Sequence, residues 1–420
     1  MTTQEPMMYQ NIVQEYVPDF VPGAKIKVLG IGGCGNKSID RMIIEGLDNI
    51  EFVAINTDAQ DLSVNHAQIK VNIGLNLTKG LGAGGEPDIG RKAAEESESE
   101  IKEALKDTDM VFITAGMGGG TGTGAAPVIA NIARSMGILT IGIVTKPFGF
   151  EGKKRAANAE EGLLKIKEAV DTLIVIPNDR LLAVCDKKTT MPQAFAMIDK
   201  ILYLGVQGIS DIIIRPGMVN IDFEDVKRAM SNSGNALLGI GYGTGEKRTV
   251  EAARRAIENP LLETNLDGAK KIIFVVAGGV DLTLFEVQEA SAIIEDIKDP
   301  DAEIFWGMTI DEDFEDEVKV TIIATGFEVQ KDEQPRTAKS MDMFGQRQKT
   351  SASKNAFTDV LQGASPKTAY STRGNNQPAF DHREVYSEQE ELAEKPIFQL
   401  EPKDDEETPA FMAKRLHNTN

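Results

Sequence analysis

The chain of 420 residues carries a formal net charge of −20, and 41% of its residues are hydrophobic. This length allows two domains and a tail, and the acidic balance argues against nucleic acid as a main partner, because phosphate binding depends on lysine and arginine. The two cysteines, Cys34 and Cys185, can build neither a disulfide framework nor a four-cysteine metal site. Residues 1–22 lack a basic and apolar signal segment, and no apolar run approaches the length of a membrane span. We therefore expect a cytoplasmic protein that does not insert into the membrane directly.

The first predicted strand–helix–strand unit contains a glycine pattern typical of nucleotide-binding proteins. A strand is predicted at Lys25–Ile31 and a helix at Ser38–Glu45, with a G-x-G-x-x-G pattern at Gly30–Gly35. The second strand, Glu51–Asn56, ends near Asp58, an acidic residue about 20 positions beyond the pattern that suits a ribose hydroxyl. Taken alone, the pattern indicates a Rossmann-like unit that binds some nucleotide, and it leaves open a Rossmann-type NAD(P)-dependent oxidoreductase.

The most informative stretch is Gly116–Gly124, which contains six glycines and two threonines and is followed by A-A-P. It comes directly after Asp109–Ala115, an apolar run of the length of a buried strand. A helix is predicted at Val128–Arg134, with Pro127 in its first turn. A glycine loop between a strand and a helix directs unpaired backbone N–H groups and the positive end of the helix dipole at one point, which suits a phosphate. A flexible turn is the alternative interpretation.

Strands and helices alternate through the first half of the chain. Further strands are predicted at Gln68–Ile73, Leu139–Thr145 and Leu173–Ile176, and helices at Gly90–Leu105 and Gly152–Val170. This alternation predicts a parallel, doubly wound sheet. A third glycine stretch, Gly80–Gly85, would join the other two at the carboxyl edge of the sheet, where such folds bind ligands.

A long helix, Met191–Ile213, precedes a second α/β pattern with a mixed sheet, and Arg215–Gly217 ends that helix. Asn220–Asp225 opens a short helix, and we interpret Gly239–Gly243 as packing or turn glycines without a ligand. The elements predicted in the second half are strands at Leu237–Tyr242, Lys271–Val276, Ile304–Met308 and Lys319–Ala324 and helices at Val250–Asn259 and Leu284–Ile297.

The last part of the chain has no periodicity. Polar residues dominate Lys331–Leu400, which predicts a disordered linker. The following run, Asp404–Arg415, is acidic and then combines an apolar pair with basic residues. This composition fits a short docking peptide and a solubilising tail equally well.

Few side chains are available for acid–base chemistry. The three histidines are His66, His382 and His417, and the last two fall in the predicted tail, which argues against a histidine base or a zinc hydrolase site. The chain also lacks the Walker A pattern G-x-x-x-x-G-K-[ST]. Hydrolysis of a nucleotide would then depend on carboxylates that position water, on Mg²⁺ and on backbone donors.

Three pairs of residues are candidates for such a site. Asp222 and Asp225 can face one way at a helix start, although helix capping is an equally good interpretation. Glu151 and Arg155 suit ribose and phosphate, although a surface ion pair is the commoner arrangement. Phe195 and Asp199 share a helix face: the ring could stack on a base, and the carboxylate could accept hydrogen bonds from guanine. The alternative is a core phenylalanine beside a solvated aspartate.

Several motifs resemble the family of tubulins and FtsZ. Gly118–Gly124 is similar to the signature loop of that family, and the longer match from Ala115 to Pro127 resembles FtsZ. The resemblance runs from about Ala24 to Phe327 and resumes at Thr408–Phe411, which is similar to a C-terminal tether peptide. The other stretches that agree are Asn56–Gln60, Gly80–Gly84, Phe150–Arg155, Ile176–Asp179 and Asn220–Asp225.

This resemblance implies a tubulin-like GTPase that uses GTP/GDP and Mg²⁺ and assembles head to tail into protofilaments. It implies a cytokinetic ring at mid-cell, on the inner face of the membrane, and adaptors such as FtsA that bind Thr408–Met412. Asp222 and Asp225, with Asn220 beside them, would reach the γ-phosphate held by the next subunit. The residues expected to bind the nucleotide are Gly32, Gly33, Cys34, Gly35, Asn36, Lys37, Ala83, Gly84, Gly85, Gly118, Gly119, Gly120, Thr121, Gly122, Thr123, Gly124, Glu151, Arg155, Phe195 and Asp199.

The predicted elements and the resemblance together divide the chain into six expected parts. They are a disordered arm (1–22), a GTP-binding domain (23–190), a central helix (191–215), a second, GTPase-activating domain (216–330), a disordered linker (331–400) and a partner-binding peptide (401–420).

Three residues depart from the family pattern. Cys34 replaces a usual glycine, Lys37 stands where asparagine is common, and Glu86 stands where asparagine precedes the proline. These departures affect the contacts expected at individual residues. They do not change the prediction that the bound nucleotide is GTP. Beside the oxidoreductase, a structural protein that polymerises without hydrolysis remains a rival hypothesis.

Overall fold

A computed structural model describes residues 23–327 except 184, 187, 216, 259–267, 312, 313 and 315. The predicted N-terminal arm, the linker and the C-terminal peptide lie outside the described residues. The strands are β1 Ile26–Ile31, β2 Glu51–Asn56, β3 Ile69–Asn72, β4 Met110–Gly116, β5 Leu139–Lys146, β6 Thr172–Pro177, β7 Gly234–Asn235, β8 Leu237–Thr244, β9 Lys271–Gly278, β10 Glu303–Ile310 and β11 Glu317–Thr325. The α-helices are α1 Gly32–Ile44, α2 Ala59–Val64, α3 Leu75–Thr78, α4 Pro87–Glu96, α5 Glu98–Ala104, α6 Thr121–Ser135, α7 Lys153–Ala169, α8 Met191–Ile214, α9 Phe223–Met230, α10 Arg248–Ile257 and α11 Leu284–Ile297, and Gly149–Glu151 and Asn178–Ala183 form 3₁₀ turns.

The first sheet has seven parallel strands in the order β3-β2-β1-β4-β5-β6-β7. Its central strands are buried along almost their whole length, as expected when helices cover both faces. The chain order reverses between β1 and β4: the connections after β1 and β2 run towards one edge of the sheet, whereas those after β4 and β5 run towards the other. Such a reversal opens a crevice at the carboxyl ends of the strands. The predicted Rossmann-like parallel sheet is therefore confirmed.

Parts of two glycine segments that the sequence places in loops are helical. Helix α1 begins at Gly32 and α6 begins at Thr121, so Pro127 lies in the second turn of α6 and not in the first. The prediction placed both helix starts too late because glycine and threonine are weak helix formers. Close backbone packing explains the glycines, since a β carbon on Gly35 would overlap the carbonyl oxygen of Thr114.

The predicted helix Gly90–Leu105 is two helices, α4 and α5, separated at Ser97. The hydroxyl of Ser97 accepts a hydrogen bond from the Gly74 N–H at 3.0 Å. This contact comes from a distant part of the chain, so helical periodicity could not reveal the break.

Helix α8, with 24 residues, is followed by α9 and by β7, which completes the first sheet, and the chain then forms a smaller mixed sheet in the order β10-β9-β11-β8. In this sheet β10 and β9 are parallel, and β11 is antiparallel to both β9 and β8. One hydrophobic core combines side chains of both sheets with the apolar side of α8. The predicted tubulin-like architecture of a parallel-sheet domain, a long central helix and a smaller mixed-sheet domain is confirmed.

The glycines at positions 239, 241 and 243 are packing glycines, as predicted. A β carbon at any of them would overlap a carbonyl oxygen of α10. In the part of the chain described here, no helix combines the length and the apolar character needed to cross a membrane.

Candidate functional site

Two helices begin side by side at the crevice between β1 and β4. Gly32, with a φ of 71°, opens α1, and a β carbon built on it would lie 3.0 Å from the backbone nitrogen of Gly122 near the start of α6. Helix N-termini carry unpaired N–H groups and a partial positive charge. Two of them at one point create a site for an anion, and phosphate is the commonest such ligand.

The third glycine loop, Gly80–Glu86, closes one side of the crevice. A β carbon on Gly120 would lie 2.8 Å from the Ala83 β carbon and 2.9 Å from the Glu86 nitrogen, so the two loops are in contact. Gly84 and Gly85 adopt φ values of 58° and 79°, and nothing lies within 4 Å of a β carbon at either position. Their backbone is therefore open to a ligand. The structure brings together all three predicted glycine segments.

The loop after β4 is stabilised by its own threonines. The hydroxyl of Thr123 is buried and accepts a hydrogen bond from the Gly118 N–H at 2.7 Å. The hydroxyl of Thr121 lies 2.7 Å from that of Thr57 at the end of β2. The Thr121 hydroxyl is thus engaged with Thr57, whereas the Thr123 hydroxyl accepts a hydrogen bond and keeps its own proton. The backbone N–H groups of Gly119–Gly122 are further candidate donors to a phosphate.

A polar cluster beside α1 joins the predicted site residue Asn36 to Asp61, which no sequence pattern identified. The Asp61 carboxylate accepts hydrogen bonds from the side-chain amides of Asn36, at 3.1 Å, and Asn56, at 2.7 Å. Asn36 Oδ1 is buried and finds no hydrogen-bond partner among the described residues. The matching stretch Asn56–Gln60 pointed to this region without assigning Asp61 a role. By contrast Asp58, predicted to suit a ribose, caps α2 by accepting from Gln60 N–H at 2.9 Å.

The opposite side of the crevice carries aromatic and charged side chains. Phe148 stacks on Phe150 with ring centroids 4.9 Å apart and meets the edge of Phe195 at 5.9 Å. Phe195 is 43% exposed and so is not a core phenylalanine. Glu151 and Arg155 form the ion pair that their spacing predicts, at 3.1 Å, and a β carbon on Gly118 would lie 2.6 Å from the Arg155 carbonyl oxygen. This pair therefore lies at the glycine loop.

Cys34 lies on the floor of the crevice between these two sides. A β carbon on Gly116 would lie 2.7 Å from both the β carbon and the sulfur of Cys34. The Cys34 side chain therefore packs against the backbone of Gly116, the last residue of β4. Water reaches the side chain from the open crevice, yet protein atoms surround the thiol closely. This crowding, followed by the negative charge of Asp199, raises the pKa of the thiol to about 11. The other two departures are exposed, and Glu86 pairs with Lys154 at 2.7 Å.

Asp222 and Asp225 lie elsewhere, on the segment that enters α9. Asp222 is the N-cap and accepts from the Asp225 N–H at 2.8 Å, so the capping interpretation is correct as far as one molecule is concerned. Asn220 accepts from the Gly217 N–H, and Val219 pairs with Met308 of β10. No hydrogen bond or ion pair between described residues joins this segment to the glycine loops.

The parallel sheet, the reversal between β1 and β4, and three convergent glycine loops define a nucleotide-binding α/β protein with a phosphate site at the carboxyl edge. Comparison with known families identifies the family of nucleotide-binding proteins to which the chain belongs. Residues 25–186 match the GTPase domain of the Tubulin/FtsZ family and residues 234–328 match the FtsZ family C-terminal domain. The chain belongs to the FtsZ family.

Solved structures agree with this assignment. The empty FtsZ dimer of M. jannaschii is 48% identical over 73% of this chain and 89% of its own, with a TM-score of 0.68. A tryptophan-to-tyrosine mutant of FtsZ from the same organism is also 48% identical, over 73% of this chain and 92% of its own, with a TM-score of 0.69. The GTPγS-bound protofilament of CetZ2 from Haloferax volcanii shares the fold at 22% identity, over 73% of this chain and 94% of its own, with a TM-score of 0.64.

The protein is therefore a GTP-binding cytoskeletal GTPase. A Rossmann-type oxidoreductase, the alternative that rested on the Gly30–Gly35 pattern, is not favoured. Among the described residues, no group of three or more His, Cys, Asp or Glu side chains is arranged to hold a metal ion.

Proposed function

We propose that the protein hydrolyses GTP at a site that is completed by the next subunit of a head-to-tail filament. The observation that carries this proposal is the separation of the two halves of the site within one molecule. The glycine loops lie on the first sheet, whereas Asp222 and Asp225 lie on a segment bound to β10 of the second sheet. Since all copies are identical, one copy can present its carboxylates to the loops of another. A contact between two different surfaces of the same protein builds an open filament when its rotation does not close into a ring.

Exposed apolar side chains support a protein contact at the carboxylate end. Met218 precedes Val219, which pairs with Met308 near the carboxyl end of β10, and Val280 comes two residues after the end of β9. Because β9 and β10 are parallel neighbours, both side chains lie at the same end of the second sheet. Both are exposed, at 71% and 80%, as are Leu284 at 79% and Phe285 at 76%. Apolar groups concentrated on a polar surface mark interaction sites.

The nucleotide end carries exposed apolar side chains of its own. Leu75, Leu77 and Leu81 are 59%, 46% and 83% exposed, and they precede in the chain the open backbone of Gly84 and Gly85. A subunit seated here would cover these leucines and bring its own carboxylates over the phosphates. The names of the related structures, an FtsZ dimer and a CetZ2 protofilament, describe assemblies of this kind for those proteins.

The proposed chemistry divides between the two subunits. The N-termini of α1 and α6 and the backbone of Gly119–Gly122 hold the phosphates and stabilise their charge. Asp222 and Asp225 of the adjacent copy accept hydrogen bonds from the attacking water and orient it, with Asn220 beside them. Phe195 stacks on the base and Asp199 accepts from guanine, while Glu151 and Arg155 contact ribose and phosphate.

Magnesium fits the residues present. Mg²⁺ binds through one or two protein oxygens together with phosphates and water. Asp61 offers such oxygens at the phosphate end of α1, together with Asn36 Oδ1, which has no hydrogen-bond partner in the described part of the chain. When bound, the ion would neutralise phosphate charge.

In the cell, the filament would form the cytokinetic ring on the inner face of the membrane at mid-cell. Adaptors such as FtsA would bind the peptide Thr408–Met412, beyond the described residues, and residues 331–400 would separate filament from membrane.

The experiment uses Asp222→Asn, because asparagine is as good an N-cap as aspartate but lacks its charge. We expect GTP binding and assembly to persist, and phosphate release to fall by at least about a hundredfold, the order of loss seen when one transition-state interaction is removed. The matched control is Glu224→Gln, an exposed carboxylate between the two aspartates, which should leave turnover unchanged.

Light scattering and phosphate release, measured with GTP, ATP or NADH over a range of protein concentrations, complete the test. We expect GTP alone to support assembly, and turnover per molecule to vanish below the assembly threshold. Normal turnover by the monomer would disprove the shared site. Assembly with GTP without any phosphate release would favour the rival structural protein that does not hydrolyse its nucleotide.

A further inference from the structure

Ser38 lies inside α1, behind the crevice, and contacts the carboxylate of Asp199 on α8. Ser38 is fully buried, and its Oγ lies 2.7 Å from Asp199 Oδ1 and 3.1 Å from the carbonyl oxygen of Cys34. A serine hydroxyl has one proton to donate. The shorter distance, to the oxygen that carries charge, assigns this proton to Asp199, because charge-assisted hydrogen bonds are the shorter and stronger ones.

Asp199 has few other partners. Ser38 is the one side chain among the described residues that donates a hydrogen bond to it. Two cations of α1 face the carboxylate at longer range, Lys37 and Arg41, and Arg41 is already paired with Glu45 at 2.7 Å. On its own helix, the neighbouring Lys200 is also paired with Glu45, at 2.6 Å. On the crevice side, the thiol of Cys34 senses the charge of Asp199, and Arg155 and Glu151 are the other charged groups that act on this thiol.

We propose that Ser38 is a positioning residue for base recognition, which orients the Asp199 carboxylate so that it can accept from guanine. This inference rests on the proposed function, in which Asp199 contacts the base. A carboxylate oxygen has two lone pairs, so Oδ1 can keep its bond to Ser38 while the carboxylate accepts from the N1–H and the amino group of guanine. Because Ser38 is fully buried, its hydroxyl stays beside Oδ1 and restricts rotation of the Asp199 carboxylate.

The hydroxyl also opposes the effect of burial. Burial raises the pKa of Asp199, whereas the hydrogen bond from Ser38, and then the charges of Arg41 and Lys37, lower it. A protonated Asp199 would present an O–H to the guanine N1–H, and two donors cannot pair. Guanine binding should therefore weaken as pH falls through the pKa of Asp199. Without Ser38 that decline should begin at a higher pH.

The test compares Ser38→Ala with the unchanged full-length protein by titration of GTP and GDP between pH 5 and pH 8. We expect both nucleotides to bind about tenfold more weakly to the variant at pH 7, which is the factor that one charge-assisted hydrogen bond supplies. The loss should grow as pH falls. For each nucleotide, the ratio of the affinity of the unchanged protein to that of the variant is taken at each pH. Titration of the nucleotide itself affects both affinities equally and therefore cancels in this ratio.

Ser210→Ala is the matched control, because Ser210 is equally buried and its hydroxyl bonds a backbone carbonyl, that of Gln207, at 3.2 Å. It should leave both affinities and their pH dependence unchanged. In an Asp199→Ala background, Ser38→Ala should weaken binding no further, since a positioning residue has nothing left to position.

Should Ser38→Ala fail to fold, the nucleotide affinities of Ser38→Thr and Ser38→Val are compared instead. These two side chains have the same shape, and only threonine keeps the hydroxyl, so threonine alone should retain affinity. Equal affinities for the two variants, or a Ser38→Ala protein that matches the unchanged one at every pH, would overturn the role of Ser38. If the unchanged protein itself failed to bind GTP, the proposed function would fall instead.

Discussion

The α carbon of Gly124 packs directly against the carbonyl oxygen of Pro87, with no space between α6 and α4 for even a methyl group. Gly119, five residues earlier in the same stretch, is the opposite case, because nothing lies within 4 Å of a β carbon built there. One glycine-rich stretch thus combines a residue needed for packing with a residue that faces the open crevice.

This contrast separates stability from nucleotide binding. We expect Gly124→Ala to lower the free energy of unfolding by about 2 kcal/mol or more, because the methyl group must displace backbone. Gly119→Ala should change it by less than about 0.5 kcal/mol and yet weaken GTP binding by about tenfold or more, a cost of about 1.4 kcal/mol, since its methyl group occupies space meant for phosphate. Urea unfolding and GTP titration of both variants measure this. Similar behaviour of the two would contradict it.

Arg248 holds the segment between β9 and α11. Its guanidinium is buried and pairs with Asp281 at 2.6 Å and with Glu286 at 2.7 Å. We expect Arg248→Met to lower the free energy of unfolding by about 3 kcal/mol, because a largely buried carboxylate loses its partner.

The control for that substitution is Arg254→Met, at an exposed position of the same helix, which should change stability by less than about 0.5 kcal/mol. Urea unfolding monitored by circular dichroism gives both values. A loss below about 1 kcal/mol for Arg248→Met would show that solvent already screens the two ion pairs.

Cys34 should react slowly with alkylating reagents. Raising a thiol pKa from the usual 9.0 to about 11 lowers the thiolate fraction at pH 8 about a hundredfold, and the stronger nucleophilicity of a basic thiolate recovers about tenfold of this. We therefore expect alkylation about ten times slower than that of free cysteine, with a rate that keeps rising beyond pH 9.

The measurement uses a Cys185→Ser background, so that iodoacetamide labelling reports Cys34 alone. Bound GTP should protect the thiol, because Cys34 lies on the floor of the crevice. Labelling as fast as that of free cysteine would contradict the raised pKa, and labelling unaffected by GTP would place the nucleotide elsewhere.

The C-terminal peptide is predicted to serve partners and not assembly. Removal of Thr408–Asn420 should leave GTP-dependent light scattering unchanged, because both proposed contact surfaces lie within the described residues. The same truncation should abolish capture of a membrane adaptor in a pull-down assay. Unaltered capture would refute the tether, and lost assembly would assign the peptide to the filament.

The fold could be predicted far more completely than the site. Strand β2 and helix α11 match their predicted bounds, and most other elements differ by a few residues, because burial on a sheet or a helix face imposes a period that local sequence records. The starts of α1 and α6 were placed too late and the break at Ser97 was missed. In each case a contact with a distant segment overrode local propensity.

Glycine patterns and their order along the chain were sufficient to indicate a nucleotide, a parallel sheet and the family. Only the tertiary structure decided which glycines face the ligand and which accommodate a neighbouring backbone, since the two uses are identical in sequence. It also revealed Asp61 and Ser38, whose roles depend on partners 25 and 161 residues away. The Gly116–Gly124 stretch and the Asp222 segment each have a local signature, but their separation onto different sheets is a property of the folded chain, because no local pattern encodes a distance in space.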